Sequence, residues 1–366
     1  MSDRTYTIAV MPGDGIGPEV VGATLAVLKT LATLHDLQLQ YKYYDFGAAA
    51  YQRSGQPITA QEMDEVGKAH AVLAGAFGLP NVRQPDGTEV APQIEMRAHF
   101  DLFASLRQTK LFPGVPTRLK ADKLDILVIR ETTEGMFAGL KDPFEPSDES
   151  LTDRMTITRK TSEKLFAVAF AQARLRKENI GTKGHVTLLH KSNVLRSNSL
   201  LVKVFREVAS RNPDIETAEY YVDAGAMYFV TSPERYDVVV TENIFGDIVS
   251  EVAAGVVGGL GVAPSGDVSE TFGVFQPSHG SAPDIAGRGI ANPIATFLSA
   301  ALMLEWIGGR YDDSKCVRAA QHLRRAVEQQ LVAGPRTADI GGEAVTEQIT
   351  LALISILDGR DAKGFE

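Results

Sequence analysis

The chain has 366 residues, 44% hydrophobic and 23% charged, and this ordinary globular balance at this length predicts two domains. Its formal net charge of −9 argues against nucleic acid as a partner, and its single cysteine, Cys316, excludes an intramolecular disulfide and a zinc–thiolate cluster. Because the sequence has neither an export signal nor an apolar run of about 18 residues, we predict a cytoplasmic protein that does not enter a membrane.

Apolar strand-like runs alternate with helical patterns along the chain. The strand-like runs are 6–11, 71–74, 126–129, 186–189, 218–222 and 237–241. Helical patterns follow many of them, at 18–34, 162–179, 198–211 and 292–306. This alternation predicts an α/β protein with parallel strand pairing.

A glycine-rich loop, MPGDGIGPEV, follows the first strand-like run. The spacing of Gly13, Gly15 and Gly17 differs from the dinucleotide fingerprint G-x-G-x-x-G. We therefore favour a tight turn from strand to helix, with Pro18 at the first helical position and Glu19 stabilised by the helix dipole. A phosphate-cradling loop is the alternative.

Three arginines lie close in sequence to the middle strand-like runs. Arg97 and Arg107 flank the segment AHFDLFASL, and Arg130 follows DILVI. Guanidinium groups bind carboxylates through planar, bidentate hydrogen bonds, so this set suggests a dicarboxylate ligand. The alternative is that each arginine is an ordinary surface charge. The acidic, proline-interrupted segment 140–153 is expected to be a surface loop.

Further polar residues stand at the ends of later strand-like runs. Lys191 is a candidate general base or charge anchor, or else a solvated loop lysine. Asp223 either belongs to a set of acidic ligands or caps a helix. Asp247 and Glu251, in VVVTENIFGDIVSE, are four residues apart and share one helix face, where a hard divalent cation would offset their charges. The segment 278–293, SHGSAPDIAGRGIANP, has the composition of a ligand-binding loop and suggests a nucleotide.

Together these segments resemble the β-decarboxylating dehydrogenase family, which includes isocitrate, 3-isopropylmalate, homoisocitrate, D-malate and tartrate dehydrogenases. The matching motifs occur in the family's order and span nearly the whole chain. They are GDGIGPEV, the pair Arg97 and Arg107, IRETTEG, HKSNVLR, YVDAGAM, TENIFGDIVSE and HGSAPDIAGRGIANP.

The resemblance implies an isopropylmalate-dehydrogenase-like α/β/α fold with two domains, distinct from the Rossmann fold. Residues 1–101 and 258–366 would form the first, nucleotide-binding domain. Residues 102–257 would form the second domain, with a dimerisation arm at about 140–160 in place of a plain loop. It also implies a homodimer in which Lys191 and Asp223 act across the interface.

The implied reaction is oxidation of a 3-substituted malate followed by loss of carbon dioxide. Mg²⁺ or Mn²⁺, held by Asp247, Glu251 and the partner's Asp223, would bind the substrate's 2-hydroxyl and α-carboxylate. Lys191 would assist deprotonation, with Asp223 and Asp247 completing the catalytic group. The substrate carboxylates would be held by Arg97, Arg107 and Arg130.

The resemblance further implies NAD as the cofactor. Asp284 would bind the adenosine ribose and repel a 2′-phosphate. His279 and Asn292 would contact the adenine end, and the remaining expected contacts come from Gly280, Ser281, Ala282 and Asn193.

Departures from the family pattern affect the last step and the substrate. Phe137 replaces the family's catalytic tyrosine, Glu251 stands where aspartate is usual, and Gln276 stands where glutamate is common. Gln93, in the specificity segment APQIEMR, weighs against a purely aliphatic 3-substituent, since an unpaired buried amide costs about 1–3 kcal/mol. Isopropylmalate, tartrate and D-malate therefore stay open as substrates. A non-catalytic subunit of the same family is the second hypothesis.

Overall fold

The computed structural model describes residues 4–85, 87–121, 123–141, 147 and 149–359. Within these ranges the chain forms ten strands, all in one sheet. They are β1 (Thr5–Met11), β2 (Gln38–Tyr43), β3 (Ala71–Ala74), β4 (Ala104–Lys110), β5 (Asp125–Glu131), β6 (His185–His190), β7 (Glu216–Tyr221), β8 (Val238–Thr241), β9 (Pro264–Val268) and β10 (Gly273–Pro277).

Eleven α-helices connect the strands of this described part. They are α1 (Gly17–His35), α2 (Ala48–Ser54), α3 (Ala60–Val66), α4 (Pro92–His99), α5 (Arg159–Ile180), α6 (Arg196–Ser210), α7 (Val222–Thr231), α8 (Asn243–Val257), α9 (Ile294–Tyr311), α10 (Ser314–Ala333) and α11 (Thr346–Leu357). The predicted α/β class is confirmed.

The strand order across the sheet is β2-β1-β3-β10-β9-β4-β5-β8-β6-β7. The strands of residues 102–257 are therefore neighbours at one end, and those of 1–101 and 258–366 are neighbours at the other. Pairing is parallel at both ends, but β9 and β4 pair with each other and with their outer neighbours in antiparallel fashion. The prediction of parallel pairing is thus wrong for this centre. The predicted domain limits stay a prediction.

All predicted strands and helices are present, with ends shifted by a few residues. The run 218–222 was placed too late, because Val222 already begins α7. Proline at the start of α1 and a left-handed Asp36 at its end explain why that helix matches its pattern closely. The sequence pattern did not predict β2, β4, β9 or β10. Of these, β2 is an edge strand whose side chains are half-exposed or exposed.

Apolar side chains cover both faces of the sheet. One face packs on α1, α5, α6, α9, α10 and α11 in a continuous core. The opposite face has two separate apolar clusters. One joins β1, β3 and β10 to α3 and α4, and the other joins β5, β6 and β8 to α7 and α8. The gap between these two clusters is where the polar residues of the candidate site lie.

Candidate active site

A polar row crosses the sheet at the gap between the two clusters. Asp267 on β9 pairs with Ser105 on β4, which in turn pairs with Arg130 on β5. Directly paired residues point to the same face, and Arg107, two residues along β4, joins them there. The chain therefore places two of the three predicted arginines side by side on one face.

Arg107 and Arg130 contact the two acids predicted on α8. Arg107 Nη2 lies 3.5 Å from Asp247 Oδ1, and its Nη1 donates to Glu251 Oε1 at 3.3 Å. Arg130 Nη1 forms an ion pair with Asp247. Both carboxylates keep a partly exposed surface, 45% for Asp247 and 40% for Glu251. Burial raises the pKa of Glu251, and the Arg107 guanidinium opposes this shift.

The start of α8 fixes the position of Arg130. Glu242 caps the helix by accepting from the backbone N–H groups of Ile244 and Phe245. Asn243, the next residue, accepts from Arg130 Nε at 3.1 Å and Nη2 at 2.8 Å through Oδ1. A Cβ on Gly246 would lie 2.6 Å from Arg130 Cβ, so the glycine permits this close approach.

Arg97 lies on α4 and has a different partner. Its Nε donates to Asp267 Oδ2 at 2.8 Å, and both side chains are buried. Burial would raise the pKa of Asp267, but Arg97, Ser105 and Arg107 lower it overall. Burial, followed by repulsion from Arg97 and Arg107, lowers the pKa of Arg130, whereas Asp247 and Asp267 oppose this. Arg97 and Arg107 therefore lie close enough to Arg130 for their charges to act on it.

Lys191 and Asp223 form a pair of their own. Lys191 Nζ lies 2.7 Å from Asp223 Oδ1, and this hydrogen bond lowers the pKa of the Asp223 carboxyl. Asp223 lies in the first turn of α7, and Tyr221 occupies the N-cap position, so the alternative of a capping aspartate is wrong. Asn193 lies in the turn after Lys191 and is exposed.

The acids of one chain form part of a metal-binding arrangement. Carboxylate oxygens suit Mg²⁺ and Mn²⁺, and Asp247 and Glu251 present two of them on one helix face. Among the described residues, no group of three His, Cys, Asp or Glu side chains lies close enough to hold a metal within one chain. One chain therefore fits part of the expected ligand set, and Asp223 is engaged with Lys191.

The glycine-rich loop is the tight turn that the sequence predicted. Gly13 and Gly15 have positive φ, and the Ser281 carbonyl oxygen accepts from the Ile16 backbone N–H at 2.8 Å. A Cβ on Gly15 would lie 1.9 Å from that Ser281 oxygen. The loop thus supports the 278–293 segment directly.

Glu19 does more than favour the helix dipole. Its carboxylate accepts from Ala291 N–H at 2.8 Å and Gly289 N–H at 3.3 Å, and also from the Thr346 hydroxyl. It therefore ties α1 to the end of the predicted nucleotide loop.

The 278–293 loop offers both engaged and open groups. His279 Nδ1 donates to the Gly280 carbonyl at 3.0 Å, and its buried Nε2 has no hydrogen-bond partner among the described residues. Burial lowers the pKa of His279. Asp284 is exposed, whereas Asn292 is buried and donates to Asp339 at 2.9 Å. Ala282 has a positive φ of 38°. An unpartnered imidazole nitrogen next to exposed backbone fits a nucleotide ligand.

Two departures from the family pattern lie at the arginines. The Phe137 ring centre is 5.4 Å from Arg130 Cζ, so the phenyl ring packs on the guanidinium. Gln93 is one helical turn before Arg97 on α4, and its buried Oε1 has no hydrogen-bond partner among the described residues. Both residues thus lie where a substrate bound by these arginines would be affected.

Sequence reasoning missed Asp267 and Asn243, which hold Arg97 and Arg130. Asn243 was visible inside the motif TENIFGD, two residues after the end of β8. Asp267 gave one signal, a lone acid inside the strand sequence PSGDV, all of which is buried. Asp14 was also missed. Its buried carboxylate accepts from the backbone N–H groups of Ala48, Ala49 and Gly78.

Comparison with known proteins agrees with this geometry. A model described as isocitrate/isopropylmalate dehydrogenase matches residues 7–353. The chain belongs to this family. Family members are decarboxylating oxidoreductases, and dependence on NAD and a divalent metal is typical of them. The predicted family, fold and enzyme class are therefore confirmed.

Individual relatives match over almost their full length. The chain is 41% identical over 343 residues to a 3-isopropylmalate/3-methylmalate dehydrogenase from Methanocaldococcus jannaschii, covering 93% of this chain and 96% of the relative. It is 40% identical to a 3-isopropylmalate dehydrogenase from Archaeoglobus fulgidus, covering 96% of this chain and 99% of the relative.

Solved structures of this family have the same fold. An isocitrate dehydrogenase from Methylococcus capsulatus superposes with a TM-score of 0.85 at 32% identity, covering 96% of this chain and 99% of that one. A β-decarboxylating dehydrogenase from Thermococcus kodakarensis gives a TM-score of 0.78 at 32% identity, covering 97% of each chain.

Several other predictions are not decided by the structure or the comparisons. The predicted arm at about 140–160 falls partly outside the described residues. The roles of the site residues, the choice of NAD, the metal and the homodimer stay predictions. No helix in the described part of the chain is both long and apolar enough to cross a membrane.

Proposed function

We propose that the protein catalyses the NAD- and divalent-metal-dependent oxidative decarboxylation of a 3-substituted malate, of the 3-isopropylmalate type. The observation that supports this most directly is the meeting of Arg107 and Arg130 with Asp247 and Glu251 on one face of the sheet. Guanidiniums for carboxylates and adjacent acids for a hard cation are the two binding functions that this reaction requires.

The arginines would bind and align the substrate. Arg130 donates through both Nε and Nη2 to Asn243 Oδ1, and Arg97 donates to Asp267, so both guanidiniums are preorganised before a ligand enters. Rigid bidentate contacts to the two malate carboxylates would hold C2 towards the cofactor.

The metal would be held by Asp247 and Glu251 together with Asp223 from a second copy of the chain. When bound, it would lower the pKa of the substrate's 2-hydroxyl and stabilise negative charge after oxidation. Exposed apolar side chains next to the two halves of this set favour a homodimer. They are Val194, Tyr221, Met227, Val230 and Ile248.

Lys191 would take part in proton transfer at the 2-hydroxyl. Asp223 lies 2.7 Å from its Nζ in the single chain, and release of Asp223 to the metal would free that nitrogen. Phe137 has no proton to donate, so protonation of the product carbon would need another group or water.

NAD would bind at the 278–293 loop. The orphan Nε2 of His279 is a ready contact for the adenine end, and exposed Asp284 would disfavour a 2′-phosphate. The backbone groups of Gly280, Ser281 and Ala282 would also contact the cofactor. The family resemblance adds Asn193 and Asn292 to these contacts.

A second candidate substrate is tartrate or D-malate. The specific observation is Gln93 Oε1, buried without a hydrogen-bond partner among the described residues. The 3-hydroxyl of tartrate would donate to this acceptor, and D-malate, which has no 3-substituent, would leave room for water to do so, whereas an isopropyl group would leave it unpaired.

The deciding experiment measures NADH and carbon dioxide in parallel from the purified protein with Mn²⁺. The substrates are 3-isopropylmalate, D-malate, tartrate and isocitrate. Matched NADH and carbon dioxide from one malate, lost in Asp247→Asn, would support the proposal. NADH without carbon dioxide would indicate a dehydrogenase that lacks the second step. If none of the four substrates yields NADH or carbon dioxide, the result would favour the hypothesis of a non-catalytic subunit.

The shared site has its own test. Asp223→Asn and Asp247→Asn are each expected to be inactive, but a mixed dimer contains one site in which both aspartates are present. Activity should therefore reappear when the two variants are refolded together. No recovery from mixtures that form dimers would contradict the sharing of Asp223 across an interface.

A further inference from the structure

We propose that Asp267 is a positioning residue that holds Arg97 and makes the site select substrates with two carboxylates over those with three. This inference rests on the proposed function only in treating the arginine cluster as the place where substrate carboxylates bind. It concerns a residue that contributes no metal ligand.

The position of Asp267 is set by the centre of the sheet. It lies on β9, opposite Ser105, in the same cross-strand row as Arg130. Its side chain is 2% exposed, and its Oδ2 accepts from Arg97 Nε at 2.8 Å. Because the contact uses Nε, the two terminal nitrogens of Arg97 are not needed for it. Asp267 can thus hold Arg97 in position and leave its two terminal nitrogens, Nη1 and Nη2, available to bind a substrate carboxylate.

The balance of charges at the site accounts for the proposed preference for dicarboxylates. Three guanidiniums (Arg97, Arg107 and Arg130) meet three carboxylates at the site (Asp247, Glu251 and Asp267). A dicarboxylate that enters with one divalent cation adds no net charge to this balance. A third substrate carboxylate would add one uncompensated negative charge beside the buried side chains of Arg97, Arg130 and Asp267, where such a charge is expensive. Removing the Asp267 charge would leave one guanidinium free to offset it.

A second buried pair of the same kind provides a matched control. Arg176 Nε donates to Asp237 Oδ1 at 2.7 Å, with side-chain exposures of 8% and 3%. Asp237 also accepts from the backbone N–H groups of Gly184 and His185, at the start of β6. Its replacement tests the general cost of neutralising a buried aspartate beside an arginine, with no change in the charge of the substrate site.

The test compares Asp267→Asn with Asp237→Asn. Asparagine keeps the side-chain shape, and its amide oxygen can still accept from Arg97 Nε, while the negative charge is removed and one oxygen becomes an NH2 group. Calorimetry with Mn²⁺ measures the binding of malate, a dicarboxylate, and isocitrate, a tricarboxylate. Values of kcat/KM are measured for isocitrate and 3-isopropylmalate. We expect the tricarboxylate-to-dicarboxylate ratio to rise by on the order of tenfold in Asp267→Asn and to stay unchanged in Asp237→Asn.

The outcomes separate this proposal from the proposed function. An unchanged ratio in Asp267→Asn, or an equal rise in Asp237→Asn, would overturn the role of Asp267 even if malates are oxidised. A changed binding ratio without NADH formation would support Asp267 and count against the proposed reaction. If Asp267→Asn does not fold, Asp267→Ser, a smaller uncharged polar residue, is measured in its place against the same criteria.

Discussion

Replacing Arg130 by lysine tests whether the fork geometry, rather than the charge, organises the site. The guanidinium donates twice to Asn243 and pairs with Asp247, and the side chain is 2% exposed. Lysine keeps the charge but cannot make the two converging contacts, so at least one buried hydrogen bond is lost. A hydrogen bond to a charged group contributes about 1.5–3 kcal/mol, and an acceptor left unpaired adds to the loss. We expect Arg130→Lys to lower the free energy of unfolding by about 2–4 kcal/mol.

At its surface the chain contains another arginine that contacts one asparagine and one aspartate. Arg174 donates to Asn212 Oδ1 at 2.6 Å and to both oxygens of Asp214 at 2.7 and 2.8 Å, but it is 38% exposed. Arg174→Lys should therefore cost less than about 1 kcal/mol. Urea denaturation at one protein concentration measures both variants. Similar losses in the two, or a loss below about 1 kcal/mol in Arg130→Lys, would refute the reasoning.

Three further predictions follow from particular contacts. His35 Nε2 lies 3.0 Å from His322 Nδ1. Burial, and to a lesser extent the His322 imidazole, lowers the pKa of His35, and burial lowers the pKa of His322. Both histidines therefore bind protons more readily in the unfolded chain than in the folded one. Stability should be full above about pH 6.5 and fall as pH drops through the lower folded pKa values; a flat urea midpoint from pH 7.5 to 5.5 would contradict this. Gly15→Ala, at φ +57° and with a Cβ 1.9 Å from a carbonyl oxygen, should cost more than about 2 kcal/mol in urea unfolding. Gly55→Ala, at φ +76° with open space, should cost less, and equal losses would count against the clash. Phe137→Tyr should change the carbon dioxide yield per NADH more than the hydride step, and unchanged yields and rates would contradict it.

Much of the site could be predicted because its residues follow strands that sequence patterns identify well. Arg130 is the next-to-last residue of β5, Lys191 follows β6, and Asp223 lies two residues after β7. These strands run parallel, so their carboxyl ends lie at one edge of the sheet. The family motifs then gave each residue an expected role. The 3.6-residue period of an α-helix was sufficient to predict that Asp247 and Glu251 share one helix face.

The charge partners could not be predicted in the same way. Asp267 and Ser105 become neighbours through the antiparallel pairing of β4 and β9, strands that are far apart in sequence. That pairing also makes the centre of the sheet differ from the parallel pattern that the alternation of elements indicated. Pattern and spacing describe each strand separately, whereas the choice of partner depends on register across the sheet.

The pairings within one chain suggest how ligands enter the site. Asp247 and Glu251 are balanced by arginines, and Asp223 is balanced by Lys191. In the proposed reaction, a metal bound by the carboxylates would leave the cationic side chains without partners, and a dicarboxylate bound by the arginines would leave the acids without partners. Each ligand would then supply the counter-charge that the other displaces, so we expect metal and substrate each to increase the affinity for the other. Asp267 stays outside this exchange because it is buried against Arg97, and for that reason it can set the charge of the site permanently.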